Sequence, residues 1–128
     1  MQIIGDAHKK TRDFVFVADA VAGILAIAGN GNLGEVYNIG SGTELSMFDL
    51  ANMIGTVTGK SAEIQEIKTV TDDTYRLTAS IEKLESLGYA PKTSLEDGLR
   101  QVAAYLGASP ELPEGATIFD SRQSGEAA

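Results

Sequence analysis

The sequence predicts a small α/β domain in which a short mixed sheet is flanked by about four helices. Short runs of β-branched and aromatic residues alternate along the chain with longer segments whose apolar residues recur every three or four positions. Hydrophobic residues make up 43% and charged residues 22% of the 128 residues, which fits one folded domain rather than two. Strands that alternate with helices in this way are typical of an α/β architecture.

Two strands and one long helix are expected in the first part of the chain. Ile3-Ile4 and the run from Phe14 to Val17 are short and β-branched or aromatic, which predicts strands on either side of a polar loop. Asp19 is placed to cap a helix over residues 20–28. That segment is apolar almost all round and ends at Gly29, so it predicts a helix that is buried on most faces and stopped by a residue that tolerates positive φ.

The central part of the chain predicts a strand, a helix and a second strand. Residues 35–39 form the first of these strands. Ser46 begins the helix, with Asp49 in the fourth place of a capping-box-like pattern, and Gly59 ends it. Isoleucines alternate with polar residues over residues 62–67, which predicts a half-buried strand.

Two further helices complete the expected domain. Ser80 is placed to cap a short helix that ends at Gly88. Ser94 is placed to cap a final helix whose inner face includes Val102 and Leu106.

The chain divides into a folded lobe and a tail. Residues 1–107 contain the predicted elements, and residues 108–128 are acidic and rich in Pro, Gly and Ser. Such a composition cannot bury enough apolar surface to offset the entropy lost on ordering, so we expect a flexible acidic tail.

Composition excludes several kinds of function. The net charge of −8 repels phosphate backbones, so nucleic-acid binding is not expected. No apolar run approaches the length of a membrane span, and the absence of cysteine removes disulfides, thiolate nucleophiles and cysteine-zinc sites. The N-terminus lacks the pattern of a secretory signal, so we expect a cytoplasmic protein.

Two glycine-rich segments could in principle hold phosphate. Residues 29–34 spell G-x-G-x-x-G, but a helix precedes them and a strand follows, the reverse of a dinucleotide-binding loop. We therefore interpret them as a helix end and a turn. Residues 40–42, Gly-Ser-Gly, do lie between a strand and a helix, but Glu44 follows closely. A tight structural connection is favoured there as well.

Arg12 lies between a polar loop and an apolar segment, which places a guanidinium at a sheet end. The planar five-donor fork suits a diphosphate. The residue pattern alone leaves a second interpretation open, a salt bridge to Asp6, Asp13 or Asp19.

No residue pattern predicts catalysis or a metal site. His8, the only histidine, has no identifiable orienting partner, so a hydrolase that uses His8 with Asp72-Asp73 has no supporting spacing. Hydride-transferring short-chain dehydrogenases have a Tyr followed four residues later by a Lys. None of the four tyrosines has this partner: the residues at that spacing are Ser41, Ala79, Thr93 and Ser109.

Several motifs together carry a family resemblance. Arg12-Asp13-Phe14 is followed by Val36 to Gly42 and then by Leu87 to Pro91, which runs into Ser94 to Leu99. In this order and spacing, the chain from Gln2 to about Leu106 resembles the C-terminal region of extended short-chain dehydrogenase/reductases that act on nucleotide sugars, the NAD-dependent epimerases and dehydratases. The cofactor-binding N-terminal half of that family is not seen in front of these motifs.

The resemblance implies site residues. Gln2 to Ile4 is similar to the strand that lies along the nucleotide base, and Arg12 matches the arginine of the R-D-[FY] motif that contacts the diphosphate. The family's second arginine motif, Arg-x-x-Asp, aligns with Val70 and Asp73, so its arginine is missing.

Two nearby cations could replace the missing arginine. Lys68 and Arg76 both lie close to Val70 in sequence. Ser80 stands where the family has Asp, a change that helix capping tolerates.

The resemblance implies a lobe of the substrate site and no complete enzyme. The chain is expected to bind a nucleotide-diphosphate sugar and to be inactive alone, with no cofactor in this chain and NAD present only if a separate Rossmann domain is supplied. An uncovered apolar face favours a homodimer or a separate Rossmann-domain polypeptide as partner. The alternative is a decayed lobe that serves as an oligomerisation or protein-interaction module.

Overall fold

The computed structural model describes residues 1–67 and 76–108, and this part of the chain contains four short strands and four helices. The strands are β1 (Gln2–Ile4), β2 (Thr11–Asp13), β3 (Glu44–Ser46) and β4 (Gln65–Ile67). The helices are α1 (Val17–Asn30), α2 (Met47–Thr58), α3 (Glu82–Glu85) and α4 (Leu95–Ala108). Lys68, Val70, Asp73 and residues 109–128 of the predicted tail lie outside the described residues, whereas Ala108, assigned to the tail, ends α4.

The strands form two separate pairs. β1 is parallel to β4, with Ile3 opposite Glu66, and β2 is antiparallel to β3, with Arg12 opposite Leu45. One strand pair is parallel and the other is antiparallel, and the chain also contains helices. The predicted α/β class with mixed strand directions is therefore confirmed. Within the described ranges no helix is long and apolar enough to cross a bilayer.

Helix α1 begins earlier than the sequence pattern indicates. The predicted strand at Phe14–Val17 is wrong, because Phe16 is the extended N-cap residue (φ −71°, ψ 144°) and Val17 is already helical. Asp19 is not the cap either. It lies in the first turn, 5% exposed, and its carboxylate accepts the main-chain N–H groups of Lys92 at 3.0 Å and Thr93 at 2.9 Å.

Only one side of α1 is covered. A side chain at Gly23 would meet Ile39 and Tyr89 at 3.1 and 3.3 Å, so this side packs tightly on the core. The opposite side is apolar and exposed, which corrects the prediction of a helix buried on most faces. Its residues and their exposed fractions are Val17 67%, Val21 48%, Ile24 56% and Leu25 66%.

The end of α1 also differs from the prediction at Gly29. The helix continues through Asn30, and the N–H of Gly31 donates to the carbonyl of Ile27 at 2.8 Å. Gly31 has φ −73°, so positive φ is not the reason for glycine here. A Cβ on Gly31 would lie 2.5 Å from the Ile27 carbonyl oxygen, and this close approach excludes larger residues.

Residues 35–39 form a fixed loop instead of the predicted strand. Lys83 on α3 secures this loop, since its Nζ donates to the Glu35 carboxylate at 2.6 Å and to the Val36 carbonyl at 2.8 Å. The same ammonium lies 4.5 Å from the centre of the Tyr37 ring.

Of the four predicted helix caps, two are confirmed, and the one at Asp19 is wrong, as described above. The Ser46 hydroxyl accepts the Asp49 N–H at 3.0 Å, and the Ser94 hydroxyl accepts the Asp97 N–H at 3.1 Å, so both predicted caps are confirmed. The cap predicted at Ser80 is wrong. Helix α3 begins at Glu82, and its N-cap residue is Ile81, without a capping hydrogen bond.

The core lies between α1 and α3. Ile81, Leu84 and Tyr89 are buried together, and the Tyr89 hydroxyl donates to the Gly40 carbonyl at 2.8 Å.

The inner face predicted for α4 is only partly correct, because Val102 is 47% and Leu106 58% exposed. The predicted half-buried strand over residues 62–67 is shorter, and all of β4 is exposed.

The Asp13 carboxylate joins three segments at the end of β2. It accepts hydrogen bonds from the Ser41 N–H at 2.8 Å, the Ser41 hydroxyl at 2.6 Å, the Gly42 N–H at 3.0 Å and the Ala79 N–H at 3.2 Å. Burial acts to raise the pKa of Asp13, but the hydrogen bonds from Ser41, Ala79 and Gly42 outweigh it and hold that pKa below its ordinary value.

Replacement of Asp13 by Asn should lower the free energy of unfolding by about 1 to 3 kcal/mol at pH 7, because the amide group cannot accept all four hydrogen bonds. The lowered pKa means that the Asp13 contribution is complete above pH 3.8 and is lost as the pH falls through the folded-state value. Urea unfolding at pH 7 and pH 3 measures both effects.

Asp97→Asn is the matched control, since Asp97 is 63% exposed in the first turn of α4. It should change stability at pH 7 by less than about 1 kcal/mol, because the amide still accepts the Ser94 hydroxyl and only a charge in the first turn of an exposed helix is lost. Equal stability losses in the two variants would show that the Asp13 hydrogen bonds do not hold the fold.

Gly40→Ala should destabilise the protein, because a Cβ at this position would lie 2.7 Å from both the Ala79 Cβ and the Asp13 Oδ2. Gly29→Ala should have the opposite effect on stability. No atom lies within 4 Å of a Cβ added at Gly29, and alanine is favoured over glycine in a helix by about 0.5 to 1 kcal/mol. Thermal unfolding should give a lower Tm for the first variant and a higher one for the second. A Gly40→Ala protein as stable as the original would contradict the observed packing.

Candidate functional site

Two cavities lie beside the β2–β3 ladder. Directly opposite residues of paired strands share a face, so Arg12 and Leu45 point to one side. Thr11 and Glu44 belong to the other side, because side chains alternate along a strand. On that side lies an open space of about 690 Å³, which we call the charged cleft; it is lined by Asp6, Lys9, Thr11, Glu44 and Arg76.

The second cavity, of about 510 Å³, lies between the ladder, α2 and the start of α4. Leu45 lines it, together with Phe14 and Met53. Lys92 and Ser94 contribute its polar edge.

A bidentate ion pair forms one wall of the charged cleft. Arg76 donates from Nε to Glu44 Oε1 at 2.7 Å and from Nη2 to Oε2 at 2.6 Å, and the Thr11 hydroxyl also donates to Oε1. The hydrogen bonds from Arg76 and then from Thr11 lower the pKa of Glu44 to about 2, and the same pair raises the pKa of Arg76. Both groups are therefore ionised at any physiological pH.

Arg12, the arginine assigned to the diphosphate, follows Thr11 in β2 and points to the opposite face of the ladder from this wall. Its side chain is half-buried, and its Nη1 donates to the Thr11 carbonyl at 2.7 Å. The Thr11 carbonyl thus accepts a hydrogen bond from Arg12, and the Thr11 hydroxyl is linked to Arg76 through the Glu44 carboxylate. The Arg12 side chain nevertheless belongs to the Leu45 side of the ladder, and Arg12 does not line the charged cleft.

The residues assigned to the nucleotide base lie in a different strand pair. Gln2 and Ile4 are exposed, and their partners across the ladder are Gln65 and Ile67. The structure therefore does not bring them into one ladder with Arg12. Lys10 connects the two regions, since its Nζ donates to the Ile4 carbonyl at 3.2 Å. The other assigned residues, Lys68 and Asp73, lie outside the described residues.

His8 has a packing role in the structure. Its ring stacks on Phe48 with 3.9 Å between ring centres, and its main-chain N–H donates to Asp6 at 3.0 Å. The Asp72-Asp73 pair of the hydrolase alternative lies outside the described residues. Over residues 1–67 and 76–108, no three acidic or histidine side chains are grouped to hold a metal ion.

Both glycine-rich segments are structural where they are described. Residues 29–34 are the end of α1 followed by a turn, in which Gly34 has φ +79°. The N–H groups of Ser41 and Gly42 do hold an anion, but that anion is the Asp13 carboxylate of the protein itself. A phosphate would have to displace it.

Sequence reasoning missed the role of Glu44. The residue was noted only as an acid close to the Gly-Ser-Gly turn, and Arg76 only as a cation close to Val70. The two are separated by 32 residues, and no local pattern connects them. The alternation of Thr43, Glu44 and Leu45 was the available signal that Glu44 lies on a strand face.

Known proteins resemble this chain over most of its length. No protein-family model matches it. A Bacillus subtilis protein described as an uncharacterized UDP-glucose epimerase, YtcB, is 34% identical over 108 residues, which are 83% of this chain and 34% of that protein.

Solved structures agree with the sequence comparison. The UDP-glucose 4-epimerase of Thermotoga maritima, solved with UDP-glucose, is 31% identical with a TM-score of 0.78, over 86% of this chain and 35% of that one. The dTDP-glucose 4,6-dehydratase of Bacillus anthracis, solved with NAD, is 27% identical with a TM-score of 0.74, over 84% of this chain and 34% of that one.

This chain spans about a third of the length of these relatives. Over the shared part the folds agree, with TM-scores of 0.74 and 0.78. The chain belongs to the extended short-chain dehydrogenase/reductase family of NAD-dependent nucleotide-sugar epimerases and dehydratases, of which it represents the C-terminal region.

Proposed function

We propose that this chain is a nucleotide-sugar-binding lobe that contacts the diphosphate of its ligand through Arg12. The observation that carries the proposal is the position of Arg12, the arginine of the R-D-F motif, which is half-buried at the β2–β3 ladder with its Nη1 held by the Thr11 carbonyl. A planar guanidinium binds two phosphate oxygens at once. Relatives solved with UDP-glucose support the choice of ligand class.

Because the chain is acidic overall, binding of a nucleotide diphosphate requires cationic side chains close to its phosphate groups. With a net charge of −8, the protein as a whole repels a nucleotide diphosphate. Charges beyond about 8 Å are screened at physiological salt, so cations close to the bound phosphate groups decide binding: Arg12 at its side of the ladder, and Arg76 and Lys9 at the charged cleft. Lys68 and Asp73, which the resemblance assigns to the same site, remain part of the proposal.

None of the four tyrosines has a Lys four residues later, and Tyr89 is held in a structural contact. Tyr89 is buried, and its pKa is raised by burial and by the charges of Asp19 and Asp13. Its hydroxyl donates to a main-chain carbonyl, which is a structural role. We therefore propose that the chain alone does not transfer hydride, and that NAD and a tyrosine base are supplied by a separate Rossmann domain.

The exposed side of α1 supports a second element of the proposal, a protein partner. Four large apolar side chains are exposed there, although the helix is firmly packed on its other side. Contiguous exposed apolar residues mark interaction surfaces. We propose that the α1 face is covered by a second copy of the chain or by a Rossmann-domain polypeptide. If ligand binding is absent, this face supports the alternative of an oligomerisation module.

Arg12→Ala should weaken binding of a nucleotide-diphosphate sugar about tenfold to a hundredfold, the loss of a charge-assisted hydrogen bond worth about 1.5 to 3 kcal/mol. Calorimetric titration with uridine, thymidine and guanosine diphosphate sugars measures this effect. Arg100→Ala is the control, because Arg100 is exposed on α4 and pairs with Glu96 and Asp97. No heat of binding with any of these sugars, or equal affinity of both variants, would refute the assignment.

Ile24→Lys should shift the protein from an oligomer to a monomer, because it places a charge in the apolar face of α1 without disturbing the core. Light scattering over a concentration series measures the mass. Asn52→Lys, at an exposed polar position of α2, should leave the mass unchanged. A wild-type chain that is a monodisperse monomer at all concentrations would remove the case for self-association and leave only the separate-polypeptide partner.

A further inference from the structure

We propose that Glu44 is an internal competitor for the phosphate groups of the ligand. Its carboxylate occupies the guanidinium fork of Arg76, and a bound diphosphate takes its place. This inference deepens the proposed function and rests on it, because it concerns how the same ligand gains access to the cleft.

The geometry of the pair supports the exchange. Nε and Nη2 of Arg76 each contact a different oxygen of Glu44, at 2.7 and 2.6 Å. Two oxygens of a phosphate group can accept the same two parallel N–H groups. The fork is therefore already arranged for a tetrahedral anion, and Glu44 holds it in that arrangement.

Solvent exposure makes the exchange feasible. The Arg76 side chain is 77% exposed, whereas that of Glu44 is 26% exposed. Exposed ion pairs contribute little to stability, so a multivalent anion can displace the carboxylate. Glu44 keeps a partner after displacement, because the Thr11 hydroxyl still donates to its Oε1.

The charges that line the cleft explain why Glu44 matters. Arg76 pairs with Glu44, and Lys9 pairs with Asp6 at 3.1 Å. The charges of the four charged residues that line this cleft sum to zero. While Glu44 is paired with Arg76, the cleft therefore does not attract an anion. When Glu44 is displaced, the positive charge of Arg76 becomes available at the cleft.

The test is calorimetric titration of the full chain with inorganic pyrophosphate and with UDP-glucose. Glu44→Gln should tighten binding of both about threefold to tenfold, because the fork no longer has a charged internal ligand. Arg76→Gln should weaken binding about tenfold. In the Arg76→Gln background, Glu44→Gln should give a markedly smaller gain, since a competitor for Arg76 has no target there.

Glu35→Gln is the matched control. Glu35 forms an ion pair with Lys83 at 2.6 Å and does not line the charged cleft. Its removal changes the net charge by the same amount and should leave affinity within about twofold. Equal gains in the Glu35 and Glu44 variants would overturn the proposal, because the effect would then be that of net charge alone.

Two further outcomes separate this inference from the proposed function. If UDP-glucose binds and Arg12→Ala weakens it, but Glu44→Gln has no effect, the competitor role is wrong and the proposed function stands. If neither probe binds to any variant that unfolds at the wild-type temperature, both are wrong. Arg76→Lys keeps the charge without the fork, and an affinity equal to that of wild type would overturn the role of the bidentate geometry.

Discussion

The Asp13 carboxylate is the contact on which the arrangement of this domain depends. It accepts four hydrogen bonds from the Gly-Ser-Gly turn and from Ala79, and so fixes the end of β2 to two segments that are distant in sequence. Arg12 precedes Asp13 and Thr11 precedes Arg12, so the position of the candidate site follows from this anchor. The close approach of Gly40 to Asp13 and Ala79 leaves no space for any other residue at that point.

Internal carboxylates occupy each of the anion-binding arrangements described above. Asp13 occupies the N–H groups of the Gly-Ser-Gly turn, Asp19 those of Lys92 and Thr93, and Glu44 the guanidinium of Arg76. The first two carboxylates are held among main-chain donors in packed regions and hold the fold together. The third lies at an open cleft, and this difference in accessibility makes Glu44, rather than Asp13 or Asp19, a candidate for exchange with a ligand.

Local sequence patterns predicted the features that depend on local physics. The caps at Ser46 and Ser94 follow from side-chain hydrogen bonds within three residues, and the α/β class follows from alternating periodicities. The strand at Phe14–Val17 was wrong because β-branched and aromatic residues also occur in half-buried extended segments that have no partner strand, as residues 14–16 do here. The exposed side of α1 was not predicted. A helix with apolar residues on all sides is buried on all sides only where other elements of the protein pack against each side.

The candidate site was only partly predictable. Arg12 was found through a family resemblance, whereas Glu44 and its pairing with Arg76 depend on contacts across 32 residues, which a single sequence does not reveal. A two-dimensional NMR titration with UDP-glucose tests the central claim most directly. The account predicts saturable shifts of the Arg12 and Arg76 side-chain Nε–H signals and of the Thr11 amide. Shifts confined to α1 or α4, or no shifts at millimolar ligand, would contradict it.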